Sequence, residues 1–416
     1  MSKPLSATTI ALVKATVPAL EAHGLAITQR MYQRLFQDPA IRNLFNQSHH
    51  GITGSQPHAL AAAVLAYARN IDNLGVLAGT VERIAQKHAA LTILPEHYPS
   101  VATALLGVIE DVLGTAATPE ILAAWGEAYW FLADLLIGRE AQIYRETAAL
   151  PGGWTGWRDF VVESVSSESE VISSLVLVPA DGGPVAAHKA GQYLGFDINL
   201  PGVGTLRRNY SISCAPNSRA YRITVKRDCT PGFPSGQVSE WLHDHAAPGT
   251  ALRVAPPAGD FFLDADTDKP VVLVSGGVGL TPMVSMLETI AARRPDLPTW
   301  YIHGAENGRQ HAMGEAVRDL AGRSPNIIHH TFYNAPLSED RAGADYNHVG
   351  LISAEWLEQH TPIAEATYYL CGPKPFLRAL VAGLARQGLP ADRIRYEFFG
   401  PADALLDPAV PQTQAA

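Results

Sequence analysis

Cysteine is scarce in this 416-residue chain: only Cys214, Cys229 and Cys371 occur, far apart and without Cys-x-x-Cys spacing. That excludes a disulfide framework and a cysteine zinc site, and it fits a reducing cytosol. Basic blocks are missing as well. Charged residues make up 17% of the chain and the net charge is −9, which argues against nucleic acid as a partner. No uninterrupted apolar run approaches the ~18 residues that cross a bilayer. Lys14 and Glu21 interrupt the early apolar stretch where a signal-peptide core would lie. The expectation is a cytoplasmic protein without stable membrane insertion. No internal repeat is present.

What is there is ample for several cores. The hydrophobic share is 47%, and the length predicts roughly two to four domains. Apolar residues recur at helical spacing over 10–20, 60–74, 76–91, 101–113 and 121–144. Thr118-Pro119-Glu120 reads as a helix start, with a hydroxyl cap, a proline in the first turn and an acid. Residues 1–148 are therefore expected to form an all-α domain. Pro151-Gly152-Gly153-Trp154 breaks the pattern and marks a linker.

Beyond the linker the period changes to two. Short strands are expected at 160–165, 171–178, 192–198, 208–214, 221–227 and 251–255, with turn residues between them. Six such strands without long helices predict an antiparallel β-barrel over 149–268. From 269 to 402 strands at 271–275, 300–303, 327–332, 367–370 and 394–398 alternate with helical stretches. That predicts an α/β doubly wound parallel sheet. Residues 403–416 read as a disordered tail.

Four motifs in the second half carry chemistry. Gly277-x-Gly279-x-Thr281-Pro282 follows a buried strand and opens a helix. Thr281 is expected to cap that helix, with Pro282 at its first position, so that free N–H groups face a pyrophosphate. In Arg208-Asn209-Tyr210-Ser211, Arg208 suits a phosphate and Tyr210, on the same strand face, suits a flat ring. Gly236-Gln237-Val238-Ser239 opens a further short helix whose N–H groups can reach the same pyrophosphate. Cys371-Gly372-Pro373 ends a later strand; on its own Cys371 reads as a small buried hydrophobe.

The order of these motifs resembles the ferredoxin-reductase-like family of FAD and NAD(P)H modules over about residues 155–400. The resemblance implies that Tyr193, Arg208, Asn209, Tyr210, Ser211, Gly236, Gln237, Val238 and Ser239 hold FAD. It implies that Gly277, Gly279, Thr281 and Pro282 meet the dinucleotide, with Cys371, Gly372 and Pro373 near the nicotinamide. Glu397 and Phe399 belong to the terminal strand, which would set Phe399 against the flavin. The chain departs from relatives at Leu280, where a polar residue is common, and in a long loop at 229–235.

In the first half, His88 shares an apolar helix face with Val81, Ile84 and Leu91. Phe45 stands at a helix-to-loop transition, Tyr32 and Gln56 flank a helical region, and Glu140 follows Leu136 and Ile137 in the last long helix. Pro57 leaves the start of the helix after Gln56 open. Together with the reductase half, these residues resemble the flavohaemoglobin family. The resemblance implies a haem b iron on His88, Phe45 against the porphyrin, and Tyr32, Gln56 and Leu60 in the distal pocket. Glu140 and Tyr98 would hydrogen-bond on the proximal side, raising the basicity of the ligand. His49-His50, His243-x-His245 and His329-His330 lack partners at metal spacing.

The activity so implied is nitric oxide dioxygenation, with NO and O2 as substrates and electrons passed from NAD(P)H through FAD to haem. Two other readings stay open: reduction of ferric iron, peroxides or quinones by the flavin, and an O2 or NO sensor or carrier. A monomer is expected, and lipid in the apolar distal pocket is possible. Glu306 and Arg309 lie where a ribose contact would fall, which leaves NADH against NADPH undecided.

Overall fold

The computed structural model describes residues 3–45, 55–228 and 236–400. His49-His50, the loop at 229–235 with Cys229, and the tail at 403–416 lie outside the described residues.

The first unit is helical: α1 (Ala7–Ala15), α2 (Val17–Leu35), α3 (Pro39–Arg42), α4 (Ser55–Arg69), α5 (Ala78–Ala90), α6 (Tyr98–Leu113) and α7 (Pro119–Ala148). The apolar run at 10–20 is not one helix, because the chain bends by 66° between α1 and α2. Thr16 turns its hydroxyl onto the Val13 carbonyl, 2.6 Å away, and a continuous helix would drive the Pro18 ring into the Lys14 carbonyl. Thr118 caps α7 as its sequence suggests, accepting from the Ile121 N–H. α6, taken with the turn before it, and α7 are long and apolar enough to cross a membrane by length and composition. In this fold α7 instead packs on α1, α5 and α6.

The apolar interior of this unit is split. One cluster gathers Ile27, Met31, Leu35, Val108, Ile109 and Trp125. A second gathers Ala85, Ala89, Tyr98, Ala133, Leu136 and Ile143. Leu60, Val64 and Leu65 on α4, and Val81 and Ile84 on α5, are only half-buried. Aliphatic side chains left half-covered are the walls expected of a slot for a flat apolar ring.

The second unit is the expected antiparallel barrel. Strands β1 (Arg158–Ser167), β2 (Ile172–Pro179), β3 (Tyr193–Leu200), β4 (Gly204–Ser211), β5 (Tyr221–Lys226) and β6 (Ala251–Val254) form one sheet in the order β4-β3-β6-β1-β2-β5. The sheet curls until Ile212, just past β4, bridges Ile223 of β5. α8 (Gln237–His245) buries Val238 and Leu242 in the barrel core.

The third unit alternates strand and helix. β7 (Val271–Gly276), β8 (Thr299–Ala305), β9 (Ile327–Tyr333), β10 (His348–Val349), β11 (Thr367–Cys371) and β12 (Ile394–Glu397) pair in parallel in the order β10-β9-β8-β7-β11-β12. Helices α9 (Leu280–Arg293), α10 (Gly314–Arg323), α11 (Ala354–His360) and α12 (Lys374–Arg386) connect them. β10 escapes sequence reading because two residues carry no period. Strand order reverses between β7 and β11, and ligands bind beyond the carboxyl ends of such a pair. Here those ends are Gly276-Gly277 and Cys371-Gly372.

The units are joined by specific polar contacts. Ser285 of α9 donates to the Cys214 carbonyl at 2.6 Å, and Glu288 accepts from Ala215 N and Arg222. On the other side of the barrel, α5 lies on β3, where Gly195 leaves room for the Ala90 carbonyl.

Two glycines separate close packing from backbone freedom. A Cβ at Gly279 would overlap the Cys371 carbonyl, whereas one at Gly138, inside α7, meets nothing within 4 Å. Gly279→Ala is expected to destabilise the third unit by about 1–3 kcal/mol. Gly138→Ala is expected to stabilise the helical unit by about 0.5–1 kcal/mol. Urea unfolding of both variants checks the opposite signs.

Candidate functional site

The helical unit places three polar side chains around one point. His88 comes from α5, Tyr98 begins α6 and Glu140 lies in α7. His88 Nδ1 is 2.7 Å from Glu140 Oε1 and 3.2 Å from the Tyr98 hydroxyl. Tyr98 donates to the same carboxylate oxygen at 2.6 Å. Glu140 is 2% exposed, and its Oε2 has no hydrogen-bond partner among the described residues. Burial, with the adjacent carboxylate, pushes the Tyr98 phenol well above its ordinary value, so it remains a donor.

Since a carboxylate only accepts, Nδ1 is the donor to Glu140, and a neutral imidazole so held keeps its lone pair on Nε2. The imidazole retains 32% exposure, so it is not sealed in the core. This donor set fits a haem iron: a neutral imidazole whose far N–H is held by a carboxylate is a strongly basic, oriented ligand.

On α2, Tyr32 is buried and hydrogen-bonds the Gln56 side chain of α4. Burial raises its phenol above the ordinary value, so it too stays protonated. Phe45 meets Tyr32 edge-on at 5.6 Å. Leu60 packs against the same cluster. Phe36, which sequence reading passed over, lies 5.5 Å from both Tyr32 and Phe45. Its position, one helical turn after Tyr32, was the available signal. Pro57 lies in the first turn of α4, where its carbonyl accepts from Thr28 at 2.8 Å.

In the barrel, Tyr193 pairs with Ser211, and Leu194 with Tyr210, across β3 and β4. Arg208 and Tyr210 share a strand face, and Tyr210 meets Phe196 edge-on at 5.6 Å. Burial pulls the Arg208 guanidinium below its ordinary value. Its recorded hydrogen bond goes to the Arg207 carbonyl at 2.7 Å, and no carboxylate pairs with it among the described residues. A desolvated fork without an anion fits a phosphate. Asn209 is exposed and Ser211 buried. Gly236 caps α8, with Gln237 exposed and Val238 buried. Ser239 donates to the Gly236 carbonyl at 2.9 Å and accepts from Asp228 N at 3.3 Å.

The third unit corrects one expectation. Thr281 does not cap α9. A 3-10 turn over Gly277–Gly279 comes first, Gly279 is the cap, and Thr281 and Pro282 lie inside the first turn. The Thr281 hydroxyl is spent on the Val278 carbonyl at 3.1 Å. Gly277 has φ +55° and open space around it, as close approach to a phosphate requires. Leu280 is fully buried, so its departure from a polar residue falls in the core. Burial pushes the Cys371 thiol well above its ordinary value, which removes it as a nucleophile. Phe376 covers Gly372 and Gly276, and Pro373 leads into α12. Arg309 is paired with Glu339 at 2.7 Å and with Glu170 at 3.7 Å.

Glu397, at the end of β12, pairs in register with Cys371. Burial pushes its carboxyl up to about 7, opposed by Lys87 and Arg83 of α5 and reinforced by Asp260. The same carboxylate acts on Tyr193. Groups of all three units thus act electrostatically on one another around Glu397. Phe399, two residues on, is 46% exposed. Sequence reading missed a neighbouring contact: Gly259 N donates to Gln86 Oε1 at 3.0 Å, joining barrel to α5. No cluster of metal-ligating side chains occurs elsewhere among the described residues.

Comparison with known proteins agrees with this geometry. The globin family matches residues 29–136, and the oxidoreductase NAD-binding domain family matches 273–382. The flavohemoprotein of Xylella fastidiosa is 53% identical over 403 residues, covering 97% of this chain and 99% of the relative. The flavohemoglobin of Malassezia yamatoensis, solved with bound FAD and heme, superposes with a TM-score of 0.82 at 24% identity, covering 96% of this chain and 100% of that one. The FAD/NAD binding domain of nitric oxide dioxygenase from Vibrio cholerae gives a TM-score of 0.54 at 35% identity, over 59% of this chain and 99% of that one.

The raised Glu397 carboxyl has a stability consequence. Between the ordinary glutamate range and about pH 7 the folded chain holds a proton that the unfolded chain has lost. Its contribution therefore falls as pH rises through that window and levels off above it. Glu397→Gln is expected to remove this slope, measured by urea unfolding from pH 5 to 8.

Proposed function

Because the chain belongs to the flavohaemoprotein family, oxidoreductases that work with haem, FAD and NAD(P)H, we propose that it is a nitric oxide dioxygenase. NO and O2 are converted to nitrate, with electrons supplied by NADH. Haem supplies a one-electron iron open to diatomic gases, and FAD supplies a hydride acceptor that can release its electrons singly. Each NO consumed takes one electron, so one hydride serves two NO.

The observation that carries this reading is the buried Glu140 carboxylate on His88 Nδ1. An O2 store has little use for a ligand made this basic, whereas chemistry on O2 gains from it. Glu140 accepts and holds the Nδ1 proton, Tyr98 fixes the carboxylate, and Nε2 stays free for the iron. Where α2 packs on α4, Gln56 would orient the protonated Tyr32 hydroxyl as a donor to the diatomic substrate.

In the reductase half, Arg208 would neutralise the FAD pyrophosphate and Tyr210 would stack on its ring. The turn at Gly277–Gly279 would admit the dinucleotide. The pairing of Arg309 with two glutamates supports NADH over NADPH, because no free guanidinium there awaits a 2′-phosphate.

NO consumption by protein loaded with haem and FAD, followed on an electrode in aerated buffer, tests the proposal. The expected result is rapid O2-dependent loss of two NO per NADH, with kcat/KM for NADH about tenfold or more above that for NADPH. His88→Ala is expected to abolish NO loss while leaving reduction of an artificial acceptor intact. Wild-type oxidation of NADH by such an acceptor without NO loss would contradict it and favour a reductase of ferric iron, peroxides or quinones.

A further inference from the structure

Two arginines stand side by side on β4 and face opposite ways, as strand alternation requires. Arg208 lies on the face assigned above to FAD. Arg207 turns towards the helical unit, where its Nη1 donates to the Leu91 carbonyl. Leu91 ends α5, three residues beyond His88. Its carbonyl is one of the acceptors that a helix leaves unpaired at its C-terminus, and a cation there also opposes the helix dipole.

The guanidinium is held from several sides. Its Nε lies 3.4 Å from Asp197 Oδ1 of β3. Its plane sits 5.1 Å from the Trp157 ring. Asp197 is 8% exposed and is independently paired with Arg253 at 2.7 Å. Next to Leu91, Ile93 hydrogen-bonds back to the His88 carbonyl at 3.0 Å and accepts from Tyr144 at 2.7 Å. Burial outweighs Asp197 and pulls the Arg207 cation below its ordinary value. A cation desolvated to this degree at a joint between two units makes that joint geometrically exacting.

The other contacts across the joint hold different parts of α5. Gln86 meets Gly259 at 3.0 Å, and Arg83 reaches Asp260 at 3.5 Å. Gly195 admits the Ala90 carbonyl. Among them Arg207 is the one that hydrogen-bonds the carbonyl capping the turn after the histidine, beside the close packing of Gly195 on Ala90.

We propose that Arg207 is a positioning residue for electron transfer from flavin to haem. It clamps the last turn of α5, and His88 with it, to the strand that binds FAD. Electron transfer between two sites weakens steeply as their separation grows and fluctuates. A clamp between the two binding elements therefore sets the rate without touching either cofactor. The inference rests on the placement of haem on His88 and FAD on β4.

Arg207→Met keeps a stem against Trp157 but removes every donor, and Asp197 retains Arg253. Arg207→Lys keeps the charge without the fork. Amide hydrogen exchange in the full chain reads the clamp without recourse to activity. The Leu91 and Ile93 amides are expected to exchange about tenfold faster or more in R207M, with an intermediate value in R207K.

Stopped-flow mixing of the loaded protein with NADH reads the consequence. Flavin bleaching is expected to match wild type, while haem reduction slows by about tenfold. R207K, which perturbs packing least, carries the same test if R207M does not purify with both cofactors. Unchanged exchange and haem reduction, or equal slowing of flavin bleaching and haem reduction, would overturn the proposal. Failure of wild-type haem to be reduced by NADH would instead sink the functional reading, while the exchange data would still decide whether Arg207 holds the helix.

Discussion

The 2.7 Å hydrogen bond between His88 Nδ1 and Glu140 Oε1 requires a carboxylate to be buried inside the longest helix of the chain. One of its oxygens has no hydrogen-bond partner among the described residues, and burying a carboxylate is costly unless it is hydrogen-bonded. Two donors on the other oxygen, His88 and Tyr98, offset part of that cost. The helical unit is arranged to keep both in place. Tyr129 donates to the Tyr98 carbonyl at 2.7 Å, and Tyr144 secures Ile93 just after α5. A stable fold did not need this acid; the iron ligand proposed for His88, of fixed tautomer and raised basicity, would.

The helix that carries His88, α5, is also a contact surface for the barrel. α5 presents His88 to its own domain and Gln86, Lys87 and Ala90 to the barrel and to Glu397. Consecutive side chains of one helix thus serve two units, and their relative placement is fixed by the helix backbone rather than by a flexible linker. Glu397 adds the third unit at the same place. Its raised carboxyl reflects partial burial, set against the cations Lys87 and Arg83 of α5.

Much of this was legible in the sequence. The barrel strands follow from the period-two pattern, and the doubly wound sheet from alternation of strand and helix. Local backbone choices were less so. The turn over Gly277–Gly279 displaces Thr281 from the cap because three residues of tight helix precede the α-helix, and a glycine-rich stretch permits either start. Thr16 and Pro18 hid a sharp bend inside a continuous apolar pattern. Contacts such as Gln86 to Gly259 and Arg207 to Leu91 join residues more than a hundred positions apart. Nothing in the local pattern of either partner marks such a pair, since a glutamine or arginine there reads equally well as solvated surface.

On this reading one helix, α5, carries the iron ligand and borders the flavin. A crystal structure of the chain loaded with haem and FAD tests it most directly. Iron is expected on His88 Nε2, with the flavin ring seated near Tyr193 and Glu397 and Arg208 on its phosphates. A flavin ring remote from α5, or iron held by a different residue, would contradict it.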